Sequence, residues 1–232
     1  MTVSILIPTF NESKTIQKTI EKIVSKKTDE VVEVLILDSV NSTDNLKETL
    51  ASQGVKYIKT PCDSRASQMN YGANLAKGDI LFFVHADTIL PKNYVSEITK
   101  VLQFVQVGCF RATIDSKNVL LKINSFFTRF NFLWCRGGDQ TLFLKKADFL
   151  ELGGFDEQYV IMEDYAFIKK AQSKFKFGIS KKSVIVSGRK YEKNGFWRIQ
   201  LANFAAMRAF LSQSATPLQI KEKYTNALDL EY

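Results

Sequence analysis

The sequence contains few cysteines and a single histidine. Its three cysteines are scattered and odd in number, and no Cys-x-x-Cys pair is present, which favours a reduced protein over a disulfide-stapled one. The lone histidine, His85, excludes a zinc site with several histidine ligands. This composition favours a cytoplasmic protein.

Long apolar runs and the common phosphate loops are also missing. No run approaches the roughly 20 residues that span a bilayer, and the strand pattern that begins at Val3 is not preceded by a basic, secretory-type segment. Neither Gly-x-x-x-x-Gly-Lys-Ser/Thr nor a Gly-x-Gly-x-x-Gly after the first strand occurs. These absences exclude a P-loop enzyme and an ordinary dinucleotide-binding domain, so any nucleotide must be bound by a different motif.

The composition is that of an ordinary globular protein. A chain of 232 residues with 45% hydrophobic residues is long enough for one packed α/β domain, which we place over residues 1–232. The net charge of +8 is typical of proteins that meet nucleic acid, an anionic membrane or phosphorylated substrates, and also of a lysine-rich proteome. Nucleic acid is not expected as a partner, because the aromatic residues follow core spacing rather than alternating with a basic stripe.

Strand and helix patterns alternate along the first half of the chain. The predicted strands are Val3–Pro8, Val31–Leu37, Val55–Ile58 and Ile80–Val84. The intervening helices have their predicted N-caps at Asn11, at Asn41 or Ser42, and at Asp63 or Ser64. This order predicts a Rossmann-like, mostly parallel sheet with helices on both faces, in a single domain.

Polar residues gather where these strands end. Thr9, Asp38, the segment 63–65 and Asp87 all lie at or just after a strand end. Ligands of parallel sheets bind outside the carboxyl ends of the strands, so we expect a site at this edge. Asp87, taken alone, is either a ligand for a hard divalent cation such as Mg²⁺ or Mn²⁺ or the cap of the following turn.

The second half is less regular. Its predicted elements are a helix over Val119–Trp134, a loop over 136–140, strands over Thr141–Leu144 and Val184–Ser187, a helix opening at Met162 and a long helix from about Phe196 to Leu211. The aromatic residues of the first of these helices indicate an interfacial membrane helix, a core helix or a dimer surface. Arg189, Lys190 and Trp197 are candidates for a phosphate or acceptor wall.

Short motifs in the expected order give the sequence a family resemblance. They are Ser4–Glu12, Asp38–Asp44, Ala73–Thr88 with Gly78-Asp79 and His85-Ala86-Asp87, then Gly153–Phe155 and Glu163-Asp164. In these segments the chain resembles family 2 glycosyltransferases of the GT-A fold. It is most similar to a small branch with Arg-Ala-x-Gln-Met-Asn-x-Gly-Ala, His-Ala-Asp-Thr and Gly-Asp-Gln, present here at Arg65–Ala73, His85–Thr88 and Gly138–Gln140.

The resemblance implies a role for each matched position. It implies a nucleotide-sugar-binding half over residues 1–114 and an acceptor-side half over 115–232. Its implied nucleotide-sugar-binding residues are Pro8, Thr9, Glu12, Asp38, Arg65, Asn70, Ala86, Asp87, Gly138 and Asp139. Asp87 is the implied ligand of a Mn²⁺ or Mg²⁺ cofactor, and Asp164, with Glu163 beside it, is the implied general base.

The implied activity is transfer of a sugar from a UDP- or GDP-sugar to an acceptor hydroxyl, with metal assistance and inversion. A divalent cation neutralises the charge of a departing diphosphate, and a carboxylate accepts the proton of the attacking hydroxyl. The implied acceptor is a sugar or a lipid-linked molecule. Peripheral membrane contact and a homodimer are further expectations.

Several of these residues also fit structural roles. Glu12 and the Glu163-Asp164 pair suit the first turn of a helix, and the segment from Asp38 to Asp44 has turn composition. His85 stands where the family usually has the first acid of its Asp-x-Asp motif, and is either a second metal ligand or a hydrogen-bonding residue. Two other functions therefore stay open, a sugar-phosphate nucleotidyltransferase and a non-catalytic nucleotide-sugar-binding protein on the same fold.

Overall fold

A seven-stranded sheet organises the molecule. A computed structural model describes residues 1–51 and 53–229, with Gly138 described only as the start of a short turn. The strands are β1 Val3–Thr9, β2 Val31–Asp38, β3 Lys56–Lys59, β4 Ile80–Phe83, β5 Val107–Asp115, β6 Leu142–Lys145 and β7 Phe177–Ser187. Their order is β3-β2-β1-β4-β6-β5-β7, and only β6 runs antiparallel to its neighbours. The predicted mostly parallel sheet is confirmed.

Ten helices connect and cover the strands within the described residues. They are α1 Ser13–Val24, α2 Leu46–Thr49, α3 Arg65–Leu75, α4 Tyr94–Leu102, α5 Val119–Phe127, α6 Lys146–Glu151, α7 Glu163–Lys174, α8 Arg189–Asn194, α9 Phe196–Ser212 and α10 Pro217–Ala227. Two 3-10 turns, Leu133–Cys135 and Gly138–Gln140, precede β6. No helix of the described chain is long and apolar enough to cross a membrane.

Side chains that alternate along the strands divide the core between the two faces of the sheet. Ile5 and Ile7 of β1 pack with α1, α2 and α4 on one face. Leu6 of β1 packs with α3, α6 and α7 on the other. Both faces are therefore covered by helices, and residues 1–114 and 115–232 contribute strands to the same sheet.

The register brings the carboxyl ends of the first three strands side by side. Thr9 pairs with Asp38, and Asp38 pairs with Lys59. Gly72 lets α3 lie close to this region, because a Cβ there would come within 2.3 Å of Leu37 Cδ1 and 2.8 Å of Leu6 Cδ2. The N-terminus of α3 therefore points at the edge where the strands end.

Several predicted element boundaries are wrong, and β7 begins at Phe177 rather than at Val184. The N-cap of α1 is Glu12 rather than Asn11, and α2 begins at Leu46 after Asn45 rather than near Asn41 or Ser42. The helix predicted over Val119–Trp134 ends at Phe127. The predicted cap Ser64 is confirmed, since its side chain accepts a hydrogen bond from the backbone N–H of Ser67.

Candidate active site

The first cluster at the strand ends is built around Asp38. Its carboxylate is fully buried, with Oδ1 accepting from Thr9 Oγ1 at 3.1 Å. Its Oδ2 accepts from Tyr57 Oη at 2.9 Å and from Lys59 Nζ at 3.0 Å. Both oxygens therefore have protein partners, and Asp38 fixes three neighbouring strands while it lines this part of the edge.

Gln68 ties α3 to the same cluster. Its buried amide Nε2 donates to the backbone carbonyls of Thr9 at 2.8 Å and of Leu37 at 2.6 Å. No sequence pattern predicted a role for this glutamine, for Tyr57 or for Lys59. The available signal was the glutamine of the matched Arg-Ala-x-Gln-Met segment, whereas the other two depend on the pairing of β2 with β3.

The loop after β1 is locked onto the loop after β2. Pro8 is buried in β1, and Asn11 adopts a left-handed conformation with φ of 52°. The Asn11 side chain accepts from the backbone N–H of Thr43 at 2.8 Å, and the backbone N–H of Asn11 donates to Ser42 Oγ at 3.1 Å. These bonds set the position of Glu12 beside the edge of the sheet.

A second cluster joins α3, the loop after β4 and the start of α7. Arg65 donates through Nε to Glu163, and its Nη2 lies 3.3 Å from Asp164 Oδ2. Its Nη1 lies 3.3 Å from His85 Nδ1. Glu163 and Asp164, the two acids predicted at the general-base position, thus contact Arg65, the residue predicted to bind the diphosphate. His85 lies within hydrogen-bond distance of the same arginine.

Burial changes the proton affinities in this cluster. It raises the pKa of Asp164 to about 6, with the neighbouring charge of Glu163 adding to the increase and Arg65 opposing it. Burial and then the charge of Arg65 lower the pKa of His85, so its imidazole is neutral at neutral pH. Glu163 has no exposed surface and holds Arg65, which leaves Asp164 as the more accessible acid.

Asp87 belongs to a third cluster with Glu12 and Arg189. Arg189 Nη2 lies 3.6 Å from Asp87 Oδ2 and 3.9 Å from Glu12 Oε2. Burial raises the pKa of Asp87, the charge of Asp139 raises it further, and Arg189 opposes both. Arg189, the first residue of α8, is thus a cation between two acids of the first half of the chain.

Asp139 faces the space between these clusters. Its charge raises the pKa values of both Asp87 and Asp164, so it lies within electrostatic range of each. Burial lowers the pKa of Lys190 on α8, and the charge of Asp139 opposes this effect. Burial raises the pKa of Tyr191, and the charge of Asp139 raises it further. Lys190 donates to the hydroxyl of Tyr224. We call the group of Asp139, Lys190, Tyr191 and Tyr224 the polar wall, because the charge of Asp139 reaches the other three.

Three other predicted binding residues have different surroundings. The side-chain amide of Asn70 binds the loop after α6. It donates to the backbone carbonyl of Phe155 at 2.9 Å and accepts from the backbone N–H of Phe155 at 2.9 Å. Ala86 is buried between His85 and Asp87 in the loop after β4. The place of Gly138 relative to the site lies outside what the structure describes. Among the described residues, no three acidic, histidine or cysteine side chains are grouped to hold a metal ion by themselves.

The family follows from a sequence match that spans these clusters. A model of glycosyl transferase family 2 matches residues 4–151, which is more than half of the chain. The chain belongs to this family. A search of curated proteins gives no significant match.

Solved structures show the same GT-A fold. Mannosyltransferase PcManGT from Pyrobaculum calidifontis, in complex with GDP-Man and Mn²⁺, has a TM-score of 0.68 at 18% identity, covering 97% of this chain and 69% of its own. S. aureus TarS 1–349 in complex with UDP-GlcNAc has a TM-score of 0.66 at 17% identity, covering 82% of this chain. The match spans only 59% of that TarS fragment.

A third glycosyltransferase is similar over the whole length of the chain. Glucosyl-3-phosphoglycerate synthase from Mycobacterium tuberculosis, with Mn²⁺, UDP and glucosyl-3-phosphoglycerate, has a TM-score of 0.63 at 14% identity. The match covers 100% of this chain and 81% of the other. At these identities the likenesses establish the fold, and the family match establishes the class of protein.

Proposed function

We propose that this family 2 protein transfers a sugar from a UDP- or GDP-sugar to an acceptor hydroxyl, with inversion at the anomeric carbon. The observation that carries the proposal is the convergence of Arg65, Asp87 and Asp164 on one edge of the sheet, with Asp139 facing the last two. A donor diphosphate needs cationic neighbours, and an acceptor hydroxyl needs a base. We assign the chain to the branch marked by His-Ala-Asp-Thr at residues 85–88.

The donor belongs at the edge formed by residues of the first half. Thr9, Asp38 and Glu12 lie beside the place proposed for the nucleoside, and Arg65 lies beside the place proposed for the diphosphate. The wall around Asp139 belongs to the acceptor side. This division follows the boundary near residue 114, where β5 ends and the less regular second half begins.

The residues around Asp87 fit a divalent cation such as Mn²⁺ or Mg²⁺. Such ions are often held by one or two carboxylates together with substrate phosphates, so one carboxylate at this edge is a sufficient protein ligand. The side chain of Asp87 is 33% exposed, and its pKa is raised although Arg189 lies 3.6 Å away. A second positive charge beside Asp87 would therefore stabilise its carboxylate. The bound ion would neutralise charge on the departing diphosphate.

Asp164 is the proposed general base. Its side chain keeps 10% exposure, whereas Glu163 has none, and it lies within electrostatic range of Asp139. It would accept the acceptor proton as the hydroxyl oxygen attacks the anomeric carbon and the bond to the donor phosphate breaks. Arg65 holds the carboxylate in place, and neutral His85 contributes a hydrogen-bonding nitrogen beside it.

The acceptor is proposed to be a sugar or a lipid-linked molecule. Asp139, Lys190 and the hydroxyls of Tyr191 and Tyr224 offer both donors and acceptors of hydrogen bonds to a polyhydroxylated group. A lipid-linked acceptor agrees with the exposed aromatic segment that precedes Asp139 in the chain. Self-association would be a property of that segment rather than of the donor site.

Release of nucleoside diphosphate from a panel of UDP- and GDP-sugars, with Mn²⁺ and with water or simple sugars as acceptors, tests the activity. Asp164→Asn is expected to lower the turnover at least about 100-fold while donor affinity stays unchanged, because a general base contributes that much. The exposed Asp29→Asn is the matched control and should retain full turnover.

The same assay distinguishes the other two functions. A nucleotidyltransferase would release pyrophosphate from a nucleoside triphosphate and a sugar phosphate. A binding protein would bind donors with no turnover. Turnover by Asp164→Asn at the rate of the unsubstituted protein would refute the assignment of the base.

A further inference from the structure

A continuous group of large apolar side chains lies on the outside of the molecule. We call it the aromatic surface. Its members are α5 and the loop that follows it, with exposed fractions of 39% to 66%: Val119, Ile123, Phe126, Phe127, Phe130, Phe132 and Trp134. Seven large apolar residues exposed in one segment of 16 positions, 119–134, are more than isolated surface hydrophobics.

The five aromatic rings of this surface contact one another in a chain. Phe126, Phe127 and Phe130 are mutually in contact, with ring centroids 5.8 to 6.1 Å apart. Phe127 contacts Trp134 at 6.0 Å, and Trp134 stacks on Phe132 at 5.8 Å. The rings therefore form one patch, which excludes water from its own contacts but is uncovered on the outside.

The charged residues of the segment that carries this patch have a single sign. The sequence has no acidic residue from 116 to 138, whereas Lys117, Lys122 and Arg129 are exposed within that segment. Arg129 lies over the face of Phe126, with its guanidinium carbon 3.7 Å from the ring centroid. Cations among aromatic rings are the combination found where proteins meet the headgroups of anionic lipids.

We propose that the aromatic surface binds the headgroup region of an anionic lipid bilayer. Phenylalanine and tryptophan side chains would enter the boundary between headgroups and acyl chains, and the three cations would pair with lipid phosphates. A second copy of the chain is a poorer partner. A two-fold interface would place the same acid-free, cationic segment on both sides, and like charges would then oppose each other.

The aromatic surface is joined directly to the polar wall of the active site. Asn124 of α5 donates to the hydroxyl of Tyr191 at 3.1 Å, and Tyr191 belongs to the group that Asp139 faces. Trp134 and Asp139 are separated by four residues, among them the buried Arg136. A bilayer on this surface would thus lie beside the acceptor side of the site, although its binding does not depend on any transfer activity.

Co-sedimentation of the full chain with vesicles tests the proposal. Vesicles of equal parts phosphatidylcholine and phosphatidylglycerol should bind the protein, and vesicles of phosphatidylcholine alone should bind it much more weakly. Phe126→Ser with Phe130→Ser should weaken binding at least about tenfold, because two exposed rings no longer leave water. Lys117→Gln and Lys122→Gln should each weaken it about five-fold.

Control variants distinguish vesicle binding by the aromatic surface from nonspecific hydrophobic adsorption and from misfolding. Phe104→Ser removes a still more exposed ring, at the other end of β5, and should bind vesicles like the unsubstituted chain. The chain has two tryptophans, so Trp197→Phe leaves Trp134 as the sole reporter; its emission should shift to shorter wavelength on anionic vesicles and be quenched by brominated lipids. That measurement leaves the aromatic surface itself unchanged.

Three results would overturn the proposal. The first is unchanged vesicle binding by Phe126→Ser with Phe130→Ser, and the second is unquenched Trp134 emission. The third is a dimer in solution that the same substitutions dissociate, with no vesicle binding by the unsubstituted chain, which would identify a second copy as the partner.

Discussion

At the scale of single residues, the site depends on how Arg65 shares its charge between two adjacent acids. Glu163 is enclosed and takes the Nε bond, while Asp164 keeps a longer contact of 3.3 Å and some exposure. Burial of a carboxylate next to another carboxylate favours its protonated form. The two acids therefore have different proposed roles, with Glu163 positioning the arginine and Asp164 accepting a proton.

This arrangement predicts the pH dependence of turnover. A base must be deprotonated, so turnover should rise with pH up to the pKa of Asp164, about 6, and level off above it. Glu163→Gln removes a negative charge that raises this pKa and keeps an oxygen for Arg65, so the acid limb should move to lower pH. The measurement is kcat against pH for donor hydrolysis; an unmoved limb, or one shifted to higher pH, would contradict the assigned base.

Residue motifs predicted candidate residues that lie at one edge of the sheet, but not the partners of these residues on neighbouring strands. Arg65, Asp87 and Asp164 converge as the motif order implies. Lys59 and Tyr57 bind Asp38 only because β3 pairs with β2 in a particular register, and a sequence does not state that register. Asn70 matched a motif as well, yet its amide is used entirely on the loop at Phe155 and Glu157.

At the scale of elements, the loop after α6 shows that Asn70 and Gly154, which both match family motifs, have a structural role. Gly154 has φ of 72°, and a Cβ there would come within 2.7 Å of Asn70 Oδ1. That oxygen is the acceptor for the backbone N–H of Phe155. The loop that leads to α7, and hence to Glu163 and Asp164, is held against α3 by this contact.

Substitution of that glycine should destabilise the protein more than substitution of an open one. Gly54 has a similar φ of 67°, and nothing in the described chain lies within 4 Å of its added Cβ. Gly54→Ala should cost about 1 kcal/mol for the left-handed conformation, and Gly154→Ala about 1–2 kcal/mol more for the clash and the weakened hydrogen bond. Urea unfolding of the two variants measures the difference; equal losses would contradict the role given to Asn70.

The end of α5 could not be predicted from periodicity. Apolar residues continue at helical spacing to Trp134, but Thr128 Oγ1 bonds the backbone of Ala112 on β5 at 3.2 Å. The buried Arg136 then donates to the carbonyl of Thr128 at 2.6 Å and to that of Phe130. These tertiary bonds satisfy the backbone outside a helix, and a local hydrophobic pattern contains no sign of them.

At the scale of the whole molecule, alternation of strands and helices predicted the parallel half of the sheet. It could not place β6, because the insertion of an antiparallel strand between β4 and β5 is a matter of long-range pairing. That insertion brings the segment with Asp139 back to the edge where β4 delivers Asp87. The facing of these two aspartates is thus a consequence of topology rather than of sequence proximity.

In the proposed function, Asp87 is the residue at which the protein, a divalent cation and a donor diphosphate meet. Ligand binding to the folded state is additive with folding, so the same event raises stability, by about 2.7 kcal/mol at a free ligand concentration 100 times Kd. The charge change in Asp87→Asn should therefore remove both the affinity and the stabilisation that depend on the metal, while the fold itself persists.

Calorimetric titration of UDP and of GDP into the protein, with and without Mn²⁺, tests this most directly. The unsubstituted chain and the Asp29→Asn control should bind at least one of the two nucleotides, and more tightly with Mn²⁺. Asp87→Asn should lose the metal-dependent part of the affinity. Equal metal-dependent binding by Asp87→Asn would contradict the placement of the cation and the diphosphate at the end of β4.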